Sequence, residues 1–415
     1  MTSLWLPCSV FVPSAIENFY GKINIFIGGK MVARTARVSG GGSKTAKKSR
    51  IVYFDVLRAI APLAIIAIHV LDPIYRQPEI DYYGADYFWS HTILACMRWA
   101  VPIFIMMSGA IFLNPDRKFD LKTHYRKYVL RIFAAYIVWS VVYAVGLSLT
   151  MDGTGYEKQV VFLEHVFGSH YNHLWYLIML IGLYIMVPVL RKITADRGLM
   201  KYFLFLGVII CFALPLVADY CRIIMEASSH TNPLIMGSLK GLVNGISYLA
   251  GKMPLNYLVY FVLGYYLATE EFSIKKRYCF YAVGVGALLV NIFLSPIRGQ
   301  LLGMSLDADV YSADLQNINF LPLALSVAVF VFVRYMLKDK RGISKIVTFM
   351  AKHSFGVYLI HYALISFVLY QFIYTGGLSV ANMWYLVPLF TILIYMASLI
   401  IVWVLSKIPL VRKVV

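Results

Sequence analysis

What most constrains this chain is a succession of apolar runs, each about 16–25 residues long, close to what a helix needs to cross a bilayer. They fall at 52–71, 88–113, 128–149, 174–190, 202–220, 253–268, 278–295, 319–337, 355–373 and 383–406, with short polar stretches between. In hydrocarbon there is no water to satisfy the backbone, so such runs span as helices. The pattern predicts an all-α, polytopic integral membrane bundle of about ten transmembrane helices. Composition rules out the main alternative. At about 150 residues per soluble domain the length would suggest two or three domains. Yet the 415 residues are 60% hydrophobic and 14% charged, whereas soluble chains are about 45–50% apolar and about 25% charged. There is too little polar surface to cover water-soluble domains.

The first fifty residues differ from the rest. Leu4 to Val12 is apolar but too short to span, and no basic segment precedes it, which argues against a signal peptide. Lys30 to Arg50 is rich in Gly, Ser, Lys and Arg, and Met31 just before it is a second candidate start. Residues 1–50 therefore read as a flexible basic N-terminal tail and 51–415 as the ten-helix transmembrane domain. The five cysteines form no C-x-x-C pair and read as small apolar fillers.

Charge sets the orientation. With both termini cytoplasmic, the inward segments are the N-tail, 114–127, 191–201, 269–277, 334–352 and the C-tail; they hold 29 of the 38 Lys and Arg, and the outward loops hold 6. The outward side holds 12 of the 20 acids. This is the positive-inside pattern. It accounts for the net charge of +18 without nucleic acid.

Three basic residues, Arg58, Arg98 and Arg131, fall within or at the margins of spans, as does Asp55. Ionisable groups at membrane depth are costly unless paired or hydrated, and so are functional candidates. At about 100° per residue, Arg58 and His69, eleven apart, project within about 20° of each other. Asp55, three before Arg58, lies on the same side. One reading is an interfacial ion pair plus a headgroup-level histidine. The other is a polar stripe lining the bundle interior or a wet cavity, with His69 suited to base work near neutrality.

In the second span Arg98 lies near mid-membrane, Pro102 is expected to bend the helix, and Ser108-Gly109 is a small pair that permits close helix approach. Arg98 reads either as an internal ion pair holding helices or as a site charge. The following loop carries Arg117, Lys118, Lys122, His124, Arg126 and Lys127, then Arg131. It reads as a topology signal or as a dock for a phosphate-rich ligand. His173, Trp175 and Tyr176 open the fourth span near the outer surface, as an aromatic belt or as part of a site. His361 lies near mid-membrane, as glue between helices or as part of a wet site. His165, His170 and His173 lack the carboxylate or cysteine company of a metal site, so none is expected. The chain has no Gly-rich phosphate loop, G-x-S-x-G or H-E-x-x-H.

Five motifs then occur in order across about 50–373. They are Phe54-Asp55-x-x-Arg58-Ala59 with His69, Arg98-x-x-x-Pro102-x-Phe104-x-x-x-Ser108-Gly109, Arg126-Lys127 with Arg131-Ile132, His173-Leu174-Trp175-Tyr176-Leu177, and Ser354-Phe355-Gly356-Val357-Tyr358-Leu359-Ile360-His361. Together they resemble the membrane-bound acyltransferase 3 family. The resemblance implies an O-acyltransferase that moves an acyl group, most often acetyl from acetyl-CoA, to hydroxyls of surface carbohydrates. It implies His69 as the essential histidine, Arg58 as its companion, and Arg126, Lys127 and Arg131 as the basic cluster at the inner face. Tyr128 departs from the Arg-Arg-x-x-Arg of many relatives, and the Arg98 environment places the chain nearer the branch with Arg before Pro-x-Phe. No esterase-like domain follows the tenth span, which disfavours the two-domain peptidoglycan branch.

On this reading the catalytic residues are His69, Arg58, Asp55 and Arg98. The donor's phosphates are held by Arg126, Lys127 and Arg131, and the substrate meets His173, Trp175, Tyr176, His361 and Ser108. No cofactor is bound permanently, and acetyl-CoA is a substrate. The partners expected are membrane lipid, acyl-CoA and a carbohydrate acceptor in the cell (cytoplasmic/inner) membrane. The rival class is a transporter or exporter of a glycan precursor or small anion, supported by the same intramembrane charges; the lack of an internal repeat speaks against it. A sensor or scaffold with structural charges is a third reading.

Overall fold

The apolar runs fold as helices, and no strand occurs among the described residues. The computed structural model describes residues 51–75, 85–115, 117–150, 153–168, 173–227, 233–251, 256–301, 319–340, 342–366, 383–409 and 411–415. The tail 1–50 with Met31 and Cys8, His170, and most of the outward loops 72–87 and 296–318 lie outside them, as does the side chain of His165.

In chain order the helices are α1 Val52–Tyr75, α2 Ala85–Met97, α3 Ala100–Phe112, α4 Leu121–Thr150, α5 Gly155–Gly168, α6 Trp175–Ala195 and α7 Arg197–Val208. They continue with α8 Leu214–Ala227, α9 Pro233–Gly251, α10 Asn256–Thr269, α11 Ile274–Leu301, α12 Phe320–Met336, α13 Lys345–Leu364 and α14 Met383–Leu405. Among the described residues six stretches are long and apolar enough to cross a membrane: Val52–Leu71, Phe88–Phe112, Leu121–Thr150, Trp175–Ala195, Arg197–Ala218 and Trp384–Leu405. Phe320–Met336 is apolar but shorter.

Three expectations change. The span predicted at 88–113 is two helices, broken at Arg98-Trp99 rather than bent at Pro102. Proline lacks an N–H and its ring crowds the carbonyl four residues earlier, which is that of Arg98. The span predicted at 128–149 begins at Leu121, because the Asp120 carboxylate accepts from the Thr123 N–H at 2.8 Å and caps it. Arg126 and Lys127 are thus helical, inside a π-turn at Tyr125–Val129, and do not lie in a loop. The breaks between predicted spans at 150–173 and 221–252, the second with room for an interfacial segment, carry helix: α5, the end of α8, and α9; α8 and α9 pack through Ala218, Cys221, Val243 and Ile246.

α3 and α10 make the closest helix contact that the glycines reveal. A Cβ on Gly109 would lie 1.7 Å from the Phe261 carbonyl oxygen, and one on Gly264 would lie 2.0 Å from that of Met106. Only hydrogen fits at either place, so two glycines set how closely these helices cross. Around this contact a buried aromatic core gathers, including Tyr143, Phe212, Tyr260, Phe261 and Phe330.

Two arginines cap helix ends at one end of the bundle. Arg191 donates to the carbonyls of Phe112 at 2.9 Å, Asn114 at 2.6 Å, Pro115 at 3.2 Å and Arg117 at 2.9 Å. Arg334, buried, donates to the Leu267 carbonyl at 2.6 Å, to that of Glu270, and to the Glu271 carboxylate at 2.9 Å. Each guanidinium satisfies carbonyls that a helix leaves open at its C-terminus, where the macrodipole is negative. With the Arg197–Glu270 ion pair, these contacts tie 112–117, 191–197, 267–271 and 334–338 together.

Candidate functional site

Three histidines from distant parts of the chain converge. His69 lies on α1, His361 on α13, and His173 in the turn before α6. The rings of His69 and His361 are 5.3 Å apart, and those of His361 and His173 are 5.4 Å apart. Tyr362 closes the group, stacked on His173 at 4.9 Å and edge-on to His69 at 5.5 Å. Tyr143 of α4 meets His173 at 5.0 Å. Its hydroxyl donates to the Leu359 carbonyl at 2.7 Å and accepts from the Ala363 N–H at 3.1 Å. The Tyr358 hydroxyl donates to the His173 carbonyl. Phenol hydroxyls thus lock α13 and the start of α6 around the imidazoles.

The protonation of one ring follows from geometry. His361 Nδ1 lies 2.6 Å from the Tyr358 carbonyl oxygen. A carbonyl only accepts, so Nδ1 carries the hydrogen, and in the neutral ring Nε2 keeps a lone pair. That Nε2 is buried and has no hydrogen-bond partner among the described residues; the His173 ring, also buried, lies near the Leu359 backbone. Buried polar atoms are nearly always paired. A bare ring nitrogen in an aromatic chamber of three imidazoles suits a polar guest such as a hydroxyl, a carbonyl or water. His69 keeps some exposure, and Arg98, at the break between α2 and α3, acts on it electrostatically. Among the described residues no group of three His, Cys, Asp or Glu is disposed to hold a metal.

The other predicted residues spread away from the chamber. Tyr176 packs behind Tyr358 at 5.3 Å, while Trp175 turns to Tyr257 of α10 at 5.7 Å. Asp55 is buried and lies 3.7 Å from Arg58, whose guanidinium is 6.0 Å from the Phe54 ring. Arg58 also acts on Tyr184, which is hydrogen-bonded to Ser108. Ser108 therefore sits with Arg58, towards the arginine-capped end and away from the imidazoles.

The basic cluster on α4 divides. Arg126 and Arg131 line an open cleft of about 910 Å³, with Arg412 and Lys413 on its other side. Arg131 donates to the main-chain oxygens of Lys413 at 3.1 Å and Val415 at 3.4 Å, and Trp139 donates to that of Val414 at 3.2 Å. Lys127 instead lies over the Tyr128 ring at 5.4 Å. A cavity of about 90 Å³ lies between Arg117, His124, Tyr128 and Arg191. The π-turn makes the division, because its i,i+5 period brings Arg126 onto the face of Arg131, where an α-helix would bring Lys127. Sequence reasoning missed Tyr143, Arg191, Arg334, Arg412 and Lys413. Tyr362, beside His361, was within reach of the last motif.

A scan against models of protein families matches residues 51–407 to one described as an acyltransferase domain. No curated protein and no solved structure matches the chain.

Proposed function

The chain belongs to the membrane acyltransferase 3 family, and on that premise we propose that it takes an acetyl group from acetyl-CoA and places it on a hydroxyl of a cell-surface carbohydrate or its lipid-linked precursor. The proposal includes ten crossings of the cell membrane with both termini cytoplasmic. The single observation that carries the mechanism is the meeting of His69 with His361, whose Nε2 is buried and bare among the described residues.

Acetyl-CoA is made in the cytoplasm, and its charged nucleotide cannot enter lipid. Arg126, Lys127 and Arg131 hold its phosphates by charge-assisted hydrogen bonds. The uncharged pantetheine arm passes Arg58 and Asp55 along the polar face of α1, with Ser108 beside it, and presents the thioester near His69. Arg58 and His69 are separated by about 16 Å of helix rise. His69 takes the proton of the acceptor hydroxyl as its oxygen attacks the acetyl carbonyl. The C–O bond forms, the C–S bond breaks, and the CoA thiolate leaves with the proton that His69 had gained. Arg98 stabilises the negative charge on the carbonyl oxygen as it develops. In the reacting complex His361 Nε2, bare in the resting chamber, turns to accept an N–H from His69 and so holds the opposite nitrogen as the base. His173, Trp175 and Tyr176 lie on the acceptor's side. A transient acyl-imidazole on His69 is the covalent version of the same chemistry.

The family match weighs against the transporter reading, which also predicts no chemistry. In purified protein, acetyl-CoA with a glycan acceptor should release CoA thiol and acetylated product in equal amounts, and His69→Ala should abolish both. Transfer by His69→Ala at the wild-type rate would remove His69 from the mechanism.

A further inference from the structure

We propose that the C-terminal segment around Val411–Lys413 is part of the donor site, with Arg412 and Lys413 binding the phosphates of CoA's nucleotide opposite Arg126. This deepens the acetyl-CoA reading and rests on it.

The cleft between α4 and this segment is lined by four cationic side chains, apolar side chains between them, and no Asp or Glu. The segment is tied down through its backbone, since Arg131 and Trp139 bind the main-chain oxygens of Lys413, Val414 and Val415. The side chains of Arg412 and Lys413 make none of those ties; they are exposed and line the cleft. At about 910 Å³ the space suits a nucleotide, since small-molecule sites run to about 300–1,000 Å³. The neighbouring cavity of about 90 Å³ is too small for one. α4 also connects the cleft to the imidazoles: Arg131 lines the first and Tyr143 touches His173 in the second. Twelve residues of helix between them rise about 18 Å, a separation within the length of an extended pantetheine arm. Residues 411–415 lie beyond the 51–407 matched by the family model. The segment is therefore a feature of this chain that the match does not supply.

The test is to titrate the full-length protein in neutral detergent with CoA, dephospho-CoA and pantetheine. Losing charge-assisted bonds should weaken CoA binding by the double variant R412A/K413A about tenfold or more. Dephospho-CoA should suffer less and pantetheine not at all. The KM for acetyl-CoA should rise with kcat unchanged, and Lys340→Ala, an exposed cation outside the cleft, should change nothing. If the double variant does not fold, R412Q and K413Q singly should each weaken CoA and spare pantetheine. Equal loss of all three ligands would mean a structural role and would overturn the proposal, as would wild-type affinity for CoA in the variants. Nanodiscs with and without phosphatidylglycerol form the second arm: an effect on retention of that lipid alone would make the cleft a lipid site. A wild-type protein that binds no CoA would instead sink the donor reading itself.

Discussion

A carbonyl 2.6 Å away decides which nitrogen of His361 carries its hydrogen, and so leaves Nε2 as an acceptor beside His69. If His361 orients His69, His361→Phe should lower kcat by about 10²–10⁴-fold, the range for a lost general acid–base contribution. His361→Gln should recover part of this, since its amide can still accept, and the KM for acetyl-CoA should hold in both. Steady-state kinetics decide it; an unchanged kcat in the phenylalanine variant would leave His361 a packing residue. Two glycines supply a stability test that does not touch the chemistry. Gly109→Ala and Gly264→Ala each drive a methyl into backbone, and overpacking costs about 1–3 kcal/mol or more. Gly286 has nothing within 4 Å of its would-be Cβ, so Gly286→Ala should stabilise α11 by about 0.5–1 kcal/mol. Thermal unfolding in detergent compares the three.

At the scale of the element, the break between α2 and α3 matters because it carries Arg98, which acts electrostatically on His69. Pro102→Ala restores an N–H for the Arg98 carbonyl and should join the two helices. The expected outcome is a protein at least as stable as wild type with reduced transfer, read by unfolding and activity together; full activity would mean that the break does not position Arg98. The arginine caps predict the opposite pattern. Arg334→Gln leaves carbonyls of α10 unpaired and should cost about 2–4 kcal/mol. In the same group the hydrogen bond from Lys338, then that from Tyr335 and the charges of Arg334 and Lys338, hold the Glu271 carboxyl below its ordinary value. A lowered folded-state pKa adds stability that is complete above the ordinary carboxylate pKa and is lost as pH falls through the lowered one. Glu271→Gln should therefore unfold earlier than wild type near neutrality and match it in acid. A gap that persists in acid would assign the effect to packing.

For the molecule as a whole, reporter fusions after Asp196 and Lys340 should read as cytoplasmic, and one after Thr150 as exterior. An exterior signal after Asp196 would undo the proposed topology. The helical class was legible because hydropathy is a property of consecutive residues, and the span containing His69 was found at almost its observed limits. Helix ends were less legible. The start of α4 depends on one cap at Asp120, and the split of the second span depends on a proline acting four residues upstream. Both are local effects, but an unbroken apolar run conceals them.

The order of apolar and basic segments determined by itself that this is a helical membrane protein, and its motifs carried the family resemblance. Both are written along one dimension. Tertiary structure alone decided that His69, His173 and His361 share a chamber while Ser108 and Trp175 do not. It also decided that Arg126 and Arg131 part from Lys127 to face Arg412 and Lys413 across a cleft. Those meetings depend on how helices far apart in the chain cross and rotate. The hydrogen bonds of Tyr143 and Tyr358 and the π-turn in α4 set that geometry, and hydrophobic period carries no record of it.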